Sequence, residues 1–170
     1  MHPQFAALEN EVLSATSGME EAAFSIHPEG KWCTAEILEH LTLAFSGTVR
    51  GCMRCIDAGH PLATKPSLKQ RAIIFWVLDC GIYPEGIAAP KTVVPKGTVH
   101  GKASLDGLIQ VIRDMDAGMQ ACEEKYGSKS ELMDHPVLGP LAVHHWRKFH
   151  LIHTQHHMKQ VRALRAPGNH

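Results

Sequence analysis

Apolar side chains recur at steps of three and four along most of the chain. Phe5, Leu8, Val12, Ala15, Met19, Ala22 and Ile26 form the first such stripe, the spacing that buries one face of a helix. His27-Pro28-Glu29-Gly30 breaks it. Thr34 reads as the N-cap of a second helix, with Glu36 in the first turn where the helix dipole favours an anion. That helix carries Ile37, Leu38, Leu41, Phe45, Cys52 and Ile56 and closes near Gly59-His60-Pro61. Ser67 is a candidate cap for a third segment, roughly Leu68 to Tyr83, in which Ile73 to Leu78 run almost unbroken. A buried strand has the same look, but no partner strand is evident elsewhere, so a helix is expected. Residues 84 to 102 hold Pro84, Gly86, Pro90, Pro95, Gly97 and Gly101 and predict a long irregular crossover. Leu105, Leu108, Ile112, Met115, Met119 and Cys122 resume the helical spacing. A turn-rich stretch through His135-Pro136 and Gly139-Pro140 then leads into a last helix, roughly Leu141 to Leu164. The predicted fold is all-α: a single domain over residues 1–170, built as an antiparallel helical bundle with a long crossover loop.

Charge narrows the function classes. Lys plus Arg number 17 and Asp plus Glu number 17, and a balanced chain lacks the basic surplus on which nucleic-acid affinity depends. No apolar run reaches the ~20 residues needed to span a bilayer, and no secretory leader is evident. The five cysteines are odd in number and show no disulfide-scaffold spacing, so a reducing cytoplasm is the expected location. Cys52-Met53-Arg54-Cys55 is formally a C-x-x-C. It lacks the second pair of ligands that zinc would need, and it falls late in a helix, where the dipole does not activate a thiol. Packing is the expected role. Phosphate-cradling glycine loops and nucleophile-elbow motifs are absent. Asp79, at the end of the apolar run, is either a buried polar partner for a site or the point where a helix reaches solvent. Arg147, Lys148, Lys159, Arg162 and Arg165 read as a solvated basic face of the last helix.

The anomaly is thirteen histidines, six of which (His144, His145, His150, His153, His156 and His157) crowd the last helix. At 100° per residue, His157 lies about 40° from His153, and Trp146, Phe149, Gln160 and Leu164 share their face. A face that must be core thus carries two imidazoles one turn apart, the spacing with which a single helix can grip a metal. Buried histidines satisfied by hydrogen bonds are the structural alternative. His40, between Ile37 and Leu41 on the second helix, supplies a third imidazole beside a stripe of small residues, Ala44, Gly47 and Gly51. Glu36, one turn earlier, either orients His40 or serves the helix N-terminus; Gln160 is a second candidate for orienting a ligand.

Lys31-Trp32-Cys33-Thr34-Ala35-Glu36-Ile37-Leu38-Glu39-His40-Leu41 resembles the segment opening the second helix of DinB-like proteins, where a Trp and a capping Ser or Thr precede a ligand histidine. His153-Thr154-Gln155-His156-His157-Met158-Lys159-Gln160 is similar to that superfamily's closing H-x-x-H-H-x-x-Q. His135-Pro136-Val137-Leu138-Gly139-Pro140-Leu141, with Trp146 after it, resembles the branch catalogued as domain of unknown function 1569. The resemblance spans roughly residues 31 to 164. It implies a four-helix bundle with one divalent metal, zinc or nickel first, on His40, His153 and His157, and relatives that use low-molecular-weight thiols.

Three neutral imidazoles leave a divalent ion an open position, the arrangement of a catalytic site. The expected function is a metal-dependent enzyme of thiol S-transferase type acting on a small electrophilic molecule. A non-catalytic metal- or ligand-binding bundle and a metal-dependent hydrolase are the alternatives. The expected partners are a small-molecule substrate, with a low-molecular-weight thiol among the candidates, and neither nucleic acid nor membrane; a homodimer is left open.

Overall fold

A computed structural model describes residues 1–79, 89–98 and 100–165. The side chain of Asp79, and with it the choice between its two roles, lies outside the described residues, as do Tyr83 and residues 84–88 and 99 of the crossover. The chain is mostly helical, with one small sheet. Its elements are α1 (Pro3–Thr16), a 3₁₀ turn (Glu21–Ser25), α2 (Thr34–Ala58) and α3 (Leu68–Ile74), which runs on into a π turn (Phe75–Asp79). A second 3₁₀ turn (Lys91–Val93) precedes α4 (Gly101–Tyr126), β1 (Glu131–His135), β2 (Gly139–Ala142) and α5 (Val143–Leu164). Helix α2 packs along α4, and α1 along α5. Their apolar stripes meet in one core that includes Phe5, Leu8, Leu38, Phe45, Ile112 and Met119. Among the described residues no helix is long and apolar enough to cross a membrane.

Several boundaries differ from expectation. The first helix stops at Thr16, because Gly18 turns the chain with φ of 70°, a left-handed conformation that suits glycine at a helix end. Beyond it the stripe fails: Phe24 is buried, whereas Ile26 is exposed. The N-cap of α2 is Cys33, not Thr34, and Glu36 accepts a hydrogen bond from the Cys33 amide at 3.0 Å, half of a capping box. Gly59, at φ 77°, closes that helix as expected. Ser67 does cap α3, and Gln70 completes its capping box. The apolar run after it is not wholly interior: Ile74, Val77 and Leu78 are buried, while Phe75 and Trp76 face solvent.

The turn-rich stretch before α5 is an antiparallel β-hairpin. A register shift between Glu131 and Met133 places Leu132 and Met133 both in the core. That irregularity removes the alternation by which a strand is read from sequence. Met133 packs on α2 at Gly51, where a Cβ would stand 2.0 Å from its Sδ. Gly51 therefore permits the hairpin to close on the helix.

Candidate metal centre

Helix α5 leaves β2 and buries Trp146, Phe149, His150, His153 and His157 in succession. Steps of three and four keep these residues on one face. His153 and His157 stand one turn apart, and their Nε2 atoms are 3.0 Å from each other. His40 reaches across from α2 and brings its own Nε2 to 3.2 Å from that of His153. All three are buried, at 4%, 7% and 8% exposure for His40, His153 and His157. The three histidines singled out in the sequence thus converge at one point.

Hydrogen bonds on the far sides of the rings fix what the near sides offer. His40 Nδ1 donates to the Val93 carbonyl at 2.7 Å, and His157 Nδ1 donates to Gln160 Oε1 at 2.7 Å. In a neutral imidazole whose Nδ1 carries the proton, Nε2 is a bare lone pair. Two lone pairs therefore face His153 Nε2, which has one proton at most and can aim it at one of them. Protonation offers no relief. Burial lowers the His40 pKa, pushes that of His157 down to about 4, and holds His153 well below the usual imidazole value. Neighbouring imidazoles lower the last two further. The three atoms are grouped closely enough to hold a metal ion, and three neutral nitrogens are a donor set for zinc, nickel, iron or copper. Their separations lie near the about 3.3 Å edge of a tetrahedral zinc site with ordinary Zn–N bonds.

The supports of the trio come from three parts of the chain. Gln160, one turn on, accepts the hydrogen bond of His157 Nδ1. His40 is oriented by Val93 in the 3₁₀ turn, whereas Glu36 bonds Cys33 and lies 3.5 Å from His27. Of the two roles open to Glu36, it fills the one at the helix N-terminus. Glu39 was not foreseen. It is buried beside His40 and accepts from Lys96 N, Gly97 N and Thr98 Oγ1. Those bonds pin the end of the crossover that carries Val93. The available signal was a carboxylate set between Leu38 and Leu41 in an apolar stretch.

The trio opens onto a cavity of about 710 Å³. Trp32, Phe149, Trp146 and Leu138 supply apolar wall. His135, from the hairpin, also lines it, and its Nδ1 accepts the amides of Val137 and Leu138 at 3.2 and 3.1 Å. Those bonds leave the neutral ring's proton on Nε2, the edge away from the backbone, and burial holds its pKa down to about 4. Deeper in, His150 Nε2 meets Thr48 Oγ1 at 3.0 Å. Gly47 and Ala44 line this space as the small-residue stripe implied; Gly51 lies under Met133 instead.

Other candidates stand apart from the cavity. Cys52 and Cys55 are buried; burial raises the Cys52 pKa, and Cys55 donates to the Leu132 carbonyl. Arg147 is not on a solvated face: it is 3% exposed and paired with Glu123 at 2.6 Å. Arg162 pairs with Glu11, and Arg165 donates to the carbonyls of Ala15 and Ser17. His27, Cys33 and Glu36 form a second group of metal-capable atoms, but Glu36 there already serves the helix cap.

A family model described as "Protein of unknown function (DUF1569)" matches residues 1–163, and the chain belongs to that family. Neither a curated protein nor a solved structure matches it.

Proposed function

We propose that this member of the DUF1569 family is a metalloenzyme of thiol S-transferase type, built as a DinB-like antiparallel four-helix bundle and acting on a small electrophilic molecule. In this reading His40, His153 and His157 hold one divalent ion, zinc or nickel first. The observation that carries it is the convergence of three buried imidazole nitrogens, two of them bare lone pairs, at the wall of a cavity large enough for a small molecule.

When bound, the ion supplies Lewis acidity, which keeps a thiol deprotonated at neutral pH. The chain's own residues do the rest. Val93 and Gln160 hold His40 and His157 in the tautomer that turns Nε2 inward. Trp146 and Phe149 thin out the water on that side, which strengthens every polar contact in the cavity. His135 offers a neutral N–H donor to a substrate oxygen or leaving group. Cysteine chemistry is not required of the protein itself, since Cys52 and Cys55 are packed away from the cavity.

Elemental analysis of protein purified without nickel resin tests the reading. About one ion per chain is expected in wild type, and none in His40→Ala or His153→Ala with helical content retained. Metal kept in both variants, or absent from wild type, overturns the ligand assignment. Turnover of a chromogenic electrophile with a low-molecular-weight thiol, present with the ion and abolished by a chelator, then separates transferase from binding protein.

A further inference from the structure

The wall of the cavity that descends from His40 carries two arginines. At 100° per residue, Leu43, Gly47, Arg50 and Arg54 fall within about 80° of His40 on α2, and all of them line the cavity. Arg50 lies back along the helix: its Nη2 is 4.0 Å from where a Cβ on Gly47 would stand. That is the N-terminal lean of helical side chains, and here it carries the guanidinium toward the histidines.

These two cations differ from most of the other described arginines. Arg113 pairs with Glu9, Arg147 with Glu123 and Arg162 with Glu11, while Arg165 is held by two carbonyls. Among the described residues no carboxylate pairs with Arg50 or Arg54. Asp134 lines the same cavity, but its two oxygens accept from Thr64 N and Thr64 Oγ1. A fork of donors on a cavity wall, with no carboxylate paired to it among the described residues, is matched to an oxyanion.

We propose that Arg50 and Arg54 form an anion subsite, so that the substrate is an extended small molecule with a carboxylate or phosphate at one end and its reactive group at the three histidines. The assignment of the reactive end rests on the proposed metal site; the anion subsite stands on the arginines alone. The span follows from the helix. Ten residues from His40 to Arg50 cover about 15 Å of axis, and the backward lean of Arg50 shortens the gap to roughly 10 Å. Between the two ends the α2 wall is apolar at Leu43 and Ala44, which suits a hydrocarbon middle.

Three probes of one length test it: 8-mercaptooctanoate, 8-mercaptooctyl phosphate and uncharged 8-mercaptooctanol. Each is titrated into metal-free and zinc-reconstituted protein, with quenching of Trp32 and Trp146, both on the cavity wall, as the readout. At least one anion is expected to bind about tenfold more tightly than the alcohol in both forms, and the better of the two identifies the preferred headgroup. The double variant Arg50→Gln, Arg54→Gln is expected to lose that preference while binding the alcohol as wild type does. Equal affinity for all three probes in wild type overturns the subsite, as does a preference that survives the double substitution. Zinc that tightens none of the thiols counts against the metal reading alone, because the headgroup preference is also measured in metal-free protein.

Discussion

Two buried polar regions border α5 on faces roughly 80° to 120° apart, and they are satisfied in different ways. On one, Arg147 pairs with Glu123, and nearby Asp116 accepts from the His2 amide, with the Met1 amino group 3.7 Å away. Every charge there faces a counter-charge or a donor supplied by the chain. On the other, three neutral imidazoles turn nitrogens toward one another, and the acceptors of His40 and His157 share one proton of His153 at most. A buried polar group without its partner costs free energy. His40 and His157 each turn an acceptor toward His153 Nε2, which carries one proton at most. The first region is paired within the chain, whereas in the second acceptors outnumber protons, which is why the proposal puts a metal ion there.

Acid should upset this contrast most severely. His157 and His135 have pKa values pushed down to about 4 and His150 to about 3, against 6.5 in the unfolded chain. The native state therefore holds them neutral and the unfolded chain takes up the protons. Their contribution is fully present above pH 6.5 and is lost as pH falls from 6.5 toward 4, at about 1.4 kcal/mol per pH unit for each buried histidine. Urea unfolding of metal-free protein at pH 7 and pH 5 is expected to show a loss of several kcal/mol; a flat profile would mean that the histidines are not held neutral. Next in size, Glu123→Ala strands the Arg147 guanidinium and is expected to cost about 3 kcal/mol. Metal content should stay unchanged, and thermal unfolding beside elemental analysis checks both halves. The smallest effect concerns the second region. Gln160→Ala frees the His157 ring and is expected to weaken metal affinity about 10- to 100-fold with little change in the unfolding midpoint. Competition with a chelator measures it, and unaltered affinity would make the Gln160 contact incidental.

Much of the site was legible because it sits on regular helices. His153, His157 and Gln160 share a face by spacing alone, and His40 occupies a buried stripe of α2. Legibility failed where the period changed without a change in composition. From Met19 to Ile26 the threes and fours continue, yet Gly18 ends α1 and a 3₁₀ turn follows, so Phe24 rather than Ile26 is buried. The hairpin was hidden by its own register shift, and with it the position of His135 on the cavity wall. Arg147 looked like one of several basic surface residues, since burial of a charge depends on a partner on another helix.

The pattern along the chain was enough to determine where α2, α4 and α5 run and which of their residues turn inward, because helical periodicity is a property of neighbours in sequence. It also placed two imidazoles on one core face. Only the tertiary structure decided what they meet. His40 lies 113 residues from His153, and no spacing rule acts over that distance. The group that fixes the His40 tautomer is the main-chain carbonyl of Val93, which any residue would supply. That oxygen is in place because the crossover folds back onto Glu39, and a backbone position of this kind is set by packing rather than by side-chain identity.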